Sequence, residues 1–220
     1  MKRSSVIAII LLTLGALFSQ ANRARAQSPA QTGPQPVITN ARVATPDGTF
    51  IGPLYVTIGG SERKIADEAI KAWIVQGGRG VVYSGRDGAG GFENEGQSLR
   101  IYDARTGRRR KILSEYVGID EVTEVTTSRK KTALLVEMSD GGLGASYLAV
   151  VDPARGEVFF RRWVKLISRQ GDVIVMGHYR EDDWDALNAD QNARIKPYKT
   201  ERQNLNNLLG RRVIFNKPDR

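Results

Sequence analysis

The sequence predicts a mainly β protein built from repeated units of four antiparallel strands, with one or two short helices near the C-terminus. Residues 99–108 and 148–157 match at an offset of 49 residues, and both read as a strand, an Asp-x-x-x-Gly turn and a second strand. The aspartate of such a turn accepts hydrogen bonds from the turn backbone, and the glycine supplies the positive φ that the reversal needs. Short apolar runs separated by turn residues also recur through most of the chain, which is typical of antiparallel sheets.

The N-terminal segment has the pattern of a secretory signal peptide. Lys2 and Arg3 form a basic start, residues 6–18 are apolar, and Ala24-Arg-Ala26 is a typical cleavage signal. The apolar run is shorter than the roughly 20 residues that a membrane-spanning helix needs. We therefore expect residues 1–26 to be removed and the mature protein to be periplasmic or secreted, not an integral membrane protein. An uncleaved signal anchor is the alternative.

Composition limits the other possibilities. The chain has no cysteine, so neither a disulfide framework nor an N-terminal lipid-modified cysteine is possible. The leader carries four basic residues and no acidic one, so the mature chain keeps a net charge of +5 out of the total of +9. This mild basicity lacks interleaved aromatic residues and does not indicate nucleic-acid binding. Residues 27–36 contain three prolines and predict a disordered linker before a single domain at 37–220.

Between residues 37 and 76 the pattern is mixed. Residues 37–43 and 54–58 predict two strands, with a turn at 46–48 between them and Gly59-Gly60 ending the second. Ser61 is expected to begin a helix of one or two turns, followed by a strand at 72–75. A single helix through Trp73 is the alternative.

The repeated units follow in order. The first is predicted to comprise strands at 72–75, 81–84, 98–103 and 109–113, and the second strands at 121–127, 132–138, 146–151 and 158–163. A third begins with strands at 165–168 and 173–179 and is interrupted at 180–193, where Trp184 and Leu187 indicate a short helix. Thr200 and Gln203 form a capping box for a C-terminal helix. That helix would carry Leu205, Leu208 and Leu209 on one face, stop at Gly210, and precede a closing strand at 212–216.

This unit resembles a blade of the TolB-like and dipeptidyl-peptidase-type β-propellers. Their pattern Gly-x-φ-φ-Tyr-Ser, followed by Leu-x-φ-Tyr/Val-Asp-x-x-x-Gly (φ here denoting an apolar residue), is matched at 80–84 with 99–107, and at 134–139 with 148–156. The resemblance implies a small or partial β-propeller. Three units and a partial one at 37–60 barely reach the roughly four blades of the smallest closed rings. An open stack of sheets, a β-sandwich and a ring completed by a second copy therefore remain alternatives.

One segment is the best candidate for ligand binding. Residues 77–96 hold eight glycines, and residues 90–98 within and beside them are the least generic part of the chain. The candidate ligand-binding residues are Phe92, Glu93, Asn94, Glu95 and Gln97. Their oxygen atoms on one exposed loop, with Phe92 as a lid or anchor, indicate a cation or polar-ligand contact. A solvated hairpin loop is the alternative.

No complete catalytic or metal-binding constellation is present in the sequence. His178 is the only histidine, and no Gly-x-Ser-x-Gly motif exists. The aspartates at 182–190 do not follow the calcium-loop register and favour a helix N-terminus. We predict no metal site and no cofactor. Basic runs at 108–111 and 129–131 lie at predicted turns, where they could contact phospholipid head groups or acidic glycans.

These observations favour an exported, non-catalytic, β-propeller-like binding or scaffold protein. Its partner, a protein or a glycan, would be reached through loops at the edge of the scaffold. The alternative is a carboxylate-dependent hydrolase, or an accessory domain of an envelope enzyme, acting on glycan or peptide through Glu93 and Glu95 with Asp103 or Asp140. A third possibility is an oligomer whose open sheet edges pair with a second chain.

Overall fold

The chain folds as a series of four antiparallel sheets, each with its strands in chain order. The computed structural model describes residues 35–45, 51–86, 97–115, 118–139, 145–189 and 195–211. The first sheet contains β1 (Ile38–Val43), β2 (Gly52–Ile58) and β3 (Ser61–Ala69); the second contains β4 (Lys71–Val75), β5 (Gly80–Arg86), β6 (Gln97–Asp103) and β7 (Arg109–Glu115). The third contains β8 (Gly118–Thr126), β9 (Thr132–Ser139), β10 (Ser146–Asp152) and β11 (Gly156–Arg162); the fourth contains β12 (Val164–Gln170), β13 (Val173–His178) and β14 (Lys199–Asn204). Helix α1 (Glu181–Ala189) precedes β14 and the single turn α2 (Leu205–Leu208) follows it.

The four-stranded unit predicted from the sequence is present in the second and third sheets. Its turn chemistry is also confirmed. Asp103 Oδ1 accepts a hydrogen bond from the Thr106 amide at 2.7 Å, and Asp152 Oδ1 accepts one from the Ala154 amide at 2.8 Å. Gly107 and Gly156 have φ angles of +68° and +109°. The 49-residue echo therefore reflects two equivalent hairpin turns in neighbouring sheets.

The third sheet is buried on both faces, because side chains along a strand alternate between them. On β9, Leu134 packs in a buried cluster with Leu99 of the second sheet. Its neighbour Leu135 packs on the opposite face in a cluster with Ile174 of the fourth sheet. A further cluster lies between the first and second sheets. Each of these three cores thus joins two consecutive sheets.

The sheets stack in the same orientation, first strand beside first strand and last beside last. Trp73 Nε1 on β4 donates to Glu121 Oε1 on β8 at 3.0 Å, which joins two first strands. The Arg109 guanidinium on β7 donates to the Ile65 carbonyl on β3 at 2.7 Å, which joins two last strands. Four sheets exclude a two-sheet β-sandwich. Among the described residues, the buried hydrophobic clusters join consecutive sheets, and none joins the first sheet to the fourth.

The helix predicted to begin at Ser61 is wrong. Residues 61–69 form β3, which pairs with β2 after a reversal at Gly59 and Gly60, whose φ angles are +58° and +78°. Ile65 and Ala69 of β3 are buried in the core between the first and second sheets. Strand pairing and burial outweigh the local helical spacing here. The strand preferred at 72–75 is confirmed as β4.

The capping box predicted at Thr200 and Gln203 is also wrong, because both residues lie in β14. The N-cap is Asn204, whose side chain accepts hydrogen bonds from the amides of Asn206 and Asn207 at 3.0 and 3.3 Å. The leucines predicted to share one face are nevertheless buried, in the core between the third and fourth sheets. The residues that the capping pattern places at the start of a helix belong instead to strand β14.

The helix predicted within 180–193 is confirmed as α1, with Trp184 only 1% exposed. In the part of the chain that the structure describes, neither helix has the length and apolar character to cross a bilayer. Several sequence predictions lie outside the described residues. These are the signal peptide at 1–26, the linker up to residue 34, the turn at 46–48 and the closing strand at 212–216.

The antiparallel chain path divides the loops between two ends of the stack. We call the end that carries the β4–β5, β6–β7, β8–β9, β10–β11 and β12–β13 turns, together with α2, the turn end. The opposite end, which carries Arg86, Gln97, Trp163 and α1, is the loop end. At the turn end Ser128 N–H donates to Asp172 Oδ1 at 2.8 Å, which links the third and fourth sheets.

Candidate functional site

The predicted ligand-binding loop is only partly described. Phe92, Glu93, Asn94 and Glu95 lie outside the described residues. Gln97 is the first residue of β6, at the loop end, and its Oε1 accepts a hydrogen bond from the Ile119 amide at 3.1 Å. This contact links the second and third sheets, so part of the Gln97 side chain is engaged within the fold.

Of the carboxylates predicted for a hydrolase, only that of Asp103 lies among the described residues. Asp103 ends β6 at the turn end, and its carboxylate is engaged by the Thr106 amide. Gln97 begins the same seven-residue strand at the loop end, and an extended strand of that length spans roughly 20 Å. Glu93, Glu95 and Asp140 lie outside the described residues.

His178 belongs to a polar network between the third and fourth sheets. Its Nε2 lies 3.2 Å from Glu201 Oε2. The Glu201 carboxylate also accepts hydrogen bonds from the Arg161 guanidinium at 3.2 Å and from Gln203 Nε2 at 2.7 Å. Partial burial raises the pKa of Glu201, but the hydrogen bonds from Arg161 and Gln203 outweigh it, and the net pKa lies below its usual value. These contacts give the histidine a structural role at the sheet boundary.

The acidic segment at 182–190 also has a local role. Asp183 Oδ2 accepts a hydrogen bond from the Arg180 amide at 3.0 Å, just before α1 begins. Carboxylates in the first turn of a helix are stabilised by the exposed backbone amides there. Within the described residues, no group of three or more histidine, aspartate or glutamate side chains is placed to hold a metal ion.

Positive charge is concentrated at the turn end. The segments at 76–79, 103–110, 127–131, 152–155, 169–172 and 205–211 together hold eleven lysines and arginines and three aspartates. All three aspartates are engaged by hydrogen bonds from neighbouring groups: Asp103 and Asp152 by turn amides, and Asp172 by Ser128 and Asn206. The turn end therefore presents a strongly cationic surface.

The basic side chains of the turn end divide into two groups. Some stabilise the stack: Arg155 binds the Leu209 and Arg211 carbonyls beyond α2, and Arg110 binds the Pro153 carbonyl. A second group makes no side-chain hydrogen bond or ion pair with any other described residue, and all its members are exposed. This group includes Arg108, Arg129, Lys130 and Lys131.

A groove lies beside this second group. It has a volume of about 590 Å³ and runs between the second sheet, the third sheet and the residues after α2. Its lining comprises Gln76, Lys131, Thr132, the turn at 152–155, Leu209 and Gly210. A smaller recess of about 270 Å³ is lined by Gln35, Gln76, Arg79, Asp103 and Arg105. Because Gln76 lines both, the two cavities adjoin.

Two residues around the groove adopt the left-handed conformation that glycine favours. Gln76 has a φ of +57° and Lys130 a φ of +55°. The Gln76 backbone is held there by a hydrogen bond from its amide to Glu124 Oε2 at 2.8 Å, across the boundary between the second and third sheets. Residues held in sparsely populated backbone regions tend to cluster at ligand-binding sites. The groove and its strained neighbours form the candidate site.

A second polar cluster lies on the third sheet, away from the turns. Glu121 of β8 is directly opposite Glu137 of β9 in the strand register, so their Cβ atoms are roughly 5 Å apart. Partial burial raises the pKa of Glu137, and the nearby carboxylates of Glu121 and Asp120 raise it further. Two neighbouring carboxyl groups, one of them with a raised pKa, are an arrangement used in acid–base chemistry.

No local sequence pattern predicts Gln76, Glu121 or Glu137 as site residues. The left-handed conformation of Gln76 follows from its contact with Glu124 of the next sheet, which no local pattern reveals. The pairing of Glu121 with Glu137 depends on a register that contains a bulge after Ile119. The basic runs at 108–111 and 129–131 were identified, but their position at one common end required the chain path.

No protein-family profile, curated protein or solved structure matches this chain. The fold and the site therefore define its class. It is an all-β protein of four stacked antiparallel sheets, with a cationic groove where the hairpin turns of adjacent sheets meet.

Proposed function

We propose that this chain is an exported, non-catalytic, β-propeller-like binding or scaffold protein that holds an anionic partner at its turn end. The observation that carries the proposal is the groove of about 590 Å³ beside exposed cations that have no partner among the described residues. Buried or paired charges would have indicated a structural role. Exposed, unpaired charges of one sign around a concavity attract ligands of the opposite sign.

The propeller-like arrangement in this proposal rests on the stacking of the sheets. First strands lie beside first strands and last beside last, through the Trp73–Glu121 and Arg109–Ile65 contacts. Propeller blades pack in this order around an axis. Export rests on the basic, apolar and small-residue pattern of the first 26 residues. N-terminal sequencing of the protein recovered from outside the cytoplasm would test export directly, with Gln27 expected as the first residue.

Binding at the turn end is expected to depend on the unpaired cations. The full chain should be retained on immobilised polygalacturonate, a carboxylated polymer, and not on neutral dextran. Replacing both Arg129 and Lys131 with glutamine should weaken the interaction about five-fold at low salt, because each exposed ion pair contributes up to about 1 kcal/mol. Isothermal titration at two salt concentrations measures the effect.

The matched control is Lys196→Gln with Lys199→Gln. These lysines are exposed and lie toward the loop end, and their substitution removes the same total charge. If both double variants weaken binding equally, net charge rather than the turn end governs the interaction, and the proposal fails. Retention of the wild-type chain on dextran would also overturn it.

A carboxylate-dependent hydrolase is the second candidate, supported by the cross-strand pair Glu121 and Glu137. The raised pKa of Glu137 suits a proton donor, and Glu121 would supply the second carboxyl group. The test is incubation of the full chain with polysaccharide or peptide, followed by measurement of new reducing ends or new amines. Hydrolysis that Glu137→Gln abolishes would establish this candidate and overturn the non-catalytic proposal.

A further inference from the structure

The turn between β8 and β9 presents three consecutive cations on a rigid support. The Thr127 amide donates to the Lys131 carbonyl at 2.9 Å, and the Lys130 amide donates to the Thr127 carbonyl at 2.8 Å. The Lys131 amide also donates to Thr127 Oγ1 at 3.3 Å. Thr127 is buried, with 3% of its surface exposed, whereas the side chains of Arg129, Lys130 and Lys131 are exposed. The backbone is therefore fixed while the charges face solvent.

Lys130 occupies a backbone conformation that favours glycine. Its φ of +55° lies in the left-handed region, where a Cβ is destabilising relative to glycine. The other described hairpin turns at the turn end place glycine at positive φ (Gly77 and Gly78, Gly107, Gly156 and Gly171), and the only other non-glycine residue with positive φ in these turns, Gln76, is held by its hydrogen bond to Glu124. Among the described residues, the Lys130 side chain makes no hydrogen bond or ion pair that would offset this strain. Lysine at this position therefore weakens the fold, which indicates that its charge serves another purpose.

We propose that this turn, residues 127–131, is the main contact for a linear acidic polysaccharide that runs into the adjacent groove. The inference rests on the proposed function and names its ligand. Lys130 provides the cation at the tip of the turn, and Lys131 lines the groove itself. Carboxylates repeated along a polysaccharide chain can pair with cations repeated along the turn.

The chemistry of the turn end favours this ligand over other polyanions. Single-stranded nucleic acids are usually held by bases stacked on exposed aromatic rings. The exposed aromatic residues of the described chain, Trp163 and Tyr198, both lie at the loop end. A lipid surface is flat, whereas the cations here flank a recess whose lining includes the polar side chains of Gln76, Thr132 and Asp152. A flexible, charged chain fits such a recess.

Three substitutions at one position separate charge from strain. Lys130→Gly removes both, Lys130→Ala removes the charge and keeps a Cβ in the left-handed region, and Lys130→Arg keeps both. The melting temperature and the affinity for polygalacturonate are measured for the full-length wild type and each variant. Anionic phospholipid vesicles and single-stranded DNA serve as competing probes.

Lys130→Gly is expected to raise the melting temperature by about 2 °C and to weaken polygalacturonate binding about three-fold at low salt. Lys130→Ala should weaken binding to the same extent without raising the melting temperature. Lys130→Arg should keep the affinity and the melting temperature of the wild type. Unchanged affinity of Lys130→Gly, while Arg129→Gln with Lys131→Gln weakens binding, would overturn the role in binding inferred for Lys130 from its strained backbone and leave the proposed function standing. Tighter binding of the wild type to vesicles or DNA than to polygalacturonate would overturn the assignment to polysaccharide. Failure of the wild type to bind any of the three would overturn the proposed function as well.

Discussion

Leu134→Ala and Leu135→Ala are each expected to lower the free energy of unfolding by about 3 kcal/mol, as is usual for a buried leucine truncated in a packed core. The two residues are adjacent on β9, and their exposed fractions are 0% and 1%. Neighbouring residues of a strand face opposite ways. Leu134 therefore reports on the core between the second and third sheets, and Leu135 on the core between the third and fourth. Two large losses at adjacent positions are expected only where both faces of a sheet are covered.

Urea denaturation followed by tryptophan fluorescence measures these losses. Thr123→Ala is the control, because Thr123 lies on β8 of the same sheet and is exposed; a change within about 0.5 kcal/mol is expected for such a site. If one leucine variant behaves like the control, the corresponding face of the third sheet is not buried. The sheet-stacking arrangement would then be contradicted.

Glu201→Gln is expected to destabilise the protein by about 1–2 kcal/mol at neutral pH, because it weakens charge-assisted hydrogen bonds across the boundary between the third and fourth sheets. The side chain of Glu201 is 17% exposed and that of Arg161 is 41% exposed. Solvent screening of the Arg161 charge therefore limits the loss of stability. Gln203 and His178 would lose the same charged acceptor.

The effect of Glu201→Gln should depend on pH. The pKa of Glu201 lies below its ordinary value in the folded protein, so the ionised carboxylate stabilises the fold at every pH above that ordinary value. The contribution is lost as the pH falls through the lowered folded pKa. Stability measured from pH 7 to pH 3 should therefore show the wild type and Glu201→Gln converging in acid.

Glu62→Gln provides a comparison for the same charge change at an exposed ion pair. Glu62 pairs with Arg42 at 3.0 Å, and the two side chains are 47% and 49% exposed. Glu62→Gln should lower the free energy of unfolding by no more than about 0.5 kcal/mol at neutral pH. Equal losses for Glu62→Gln and Glu201→Gln would show that the network around Glu201 contributes no more than a surface pair.

Local chemistry determined much of this protein from its sequence. The Asp-x-x-x-Gly turns at 103–107 and 152–156 were predictable because an aspartate side chain and a glycine backbone act within a few residues of each other. The strands of the second and third sheets followed from short apolar runs between such turns. The two basic runs were also recognisable as exposed turn residues. These features require no knowledge of distant contacts.

The tertiary structure alone decided how these parts combine. Residues 61–69 carry helical spacing but form β3, because pairing with β2 and burial against the second sheet are worth more than local preference. Glu121 faces Glu137 only through the register of β8 with β9. The groove exists because the chain path places the turns of consecutive sheets at one end, and Gln76 lines both cavities there. Several contacts between sheets join residues more than 40 positions apart, as in the Trp73–Glu121 hydrogen bond. Local sequence patterns carry no signal for contacts over such separations.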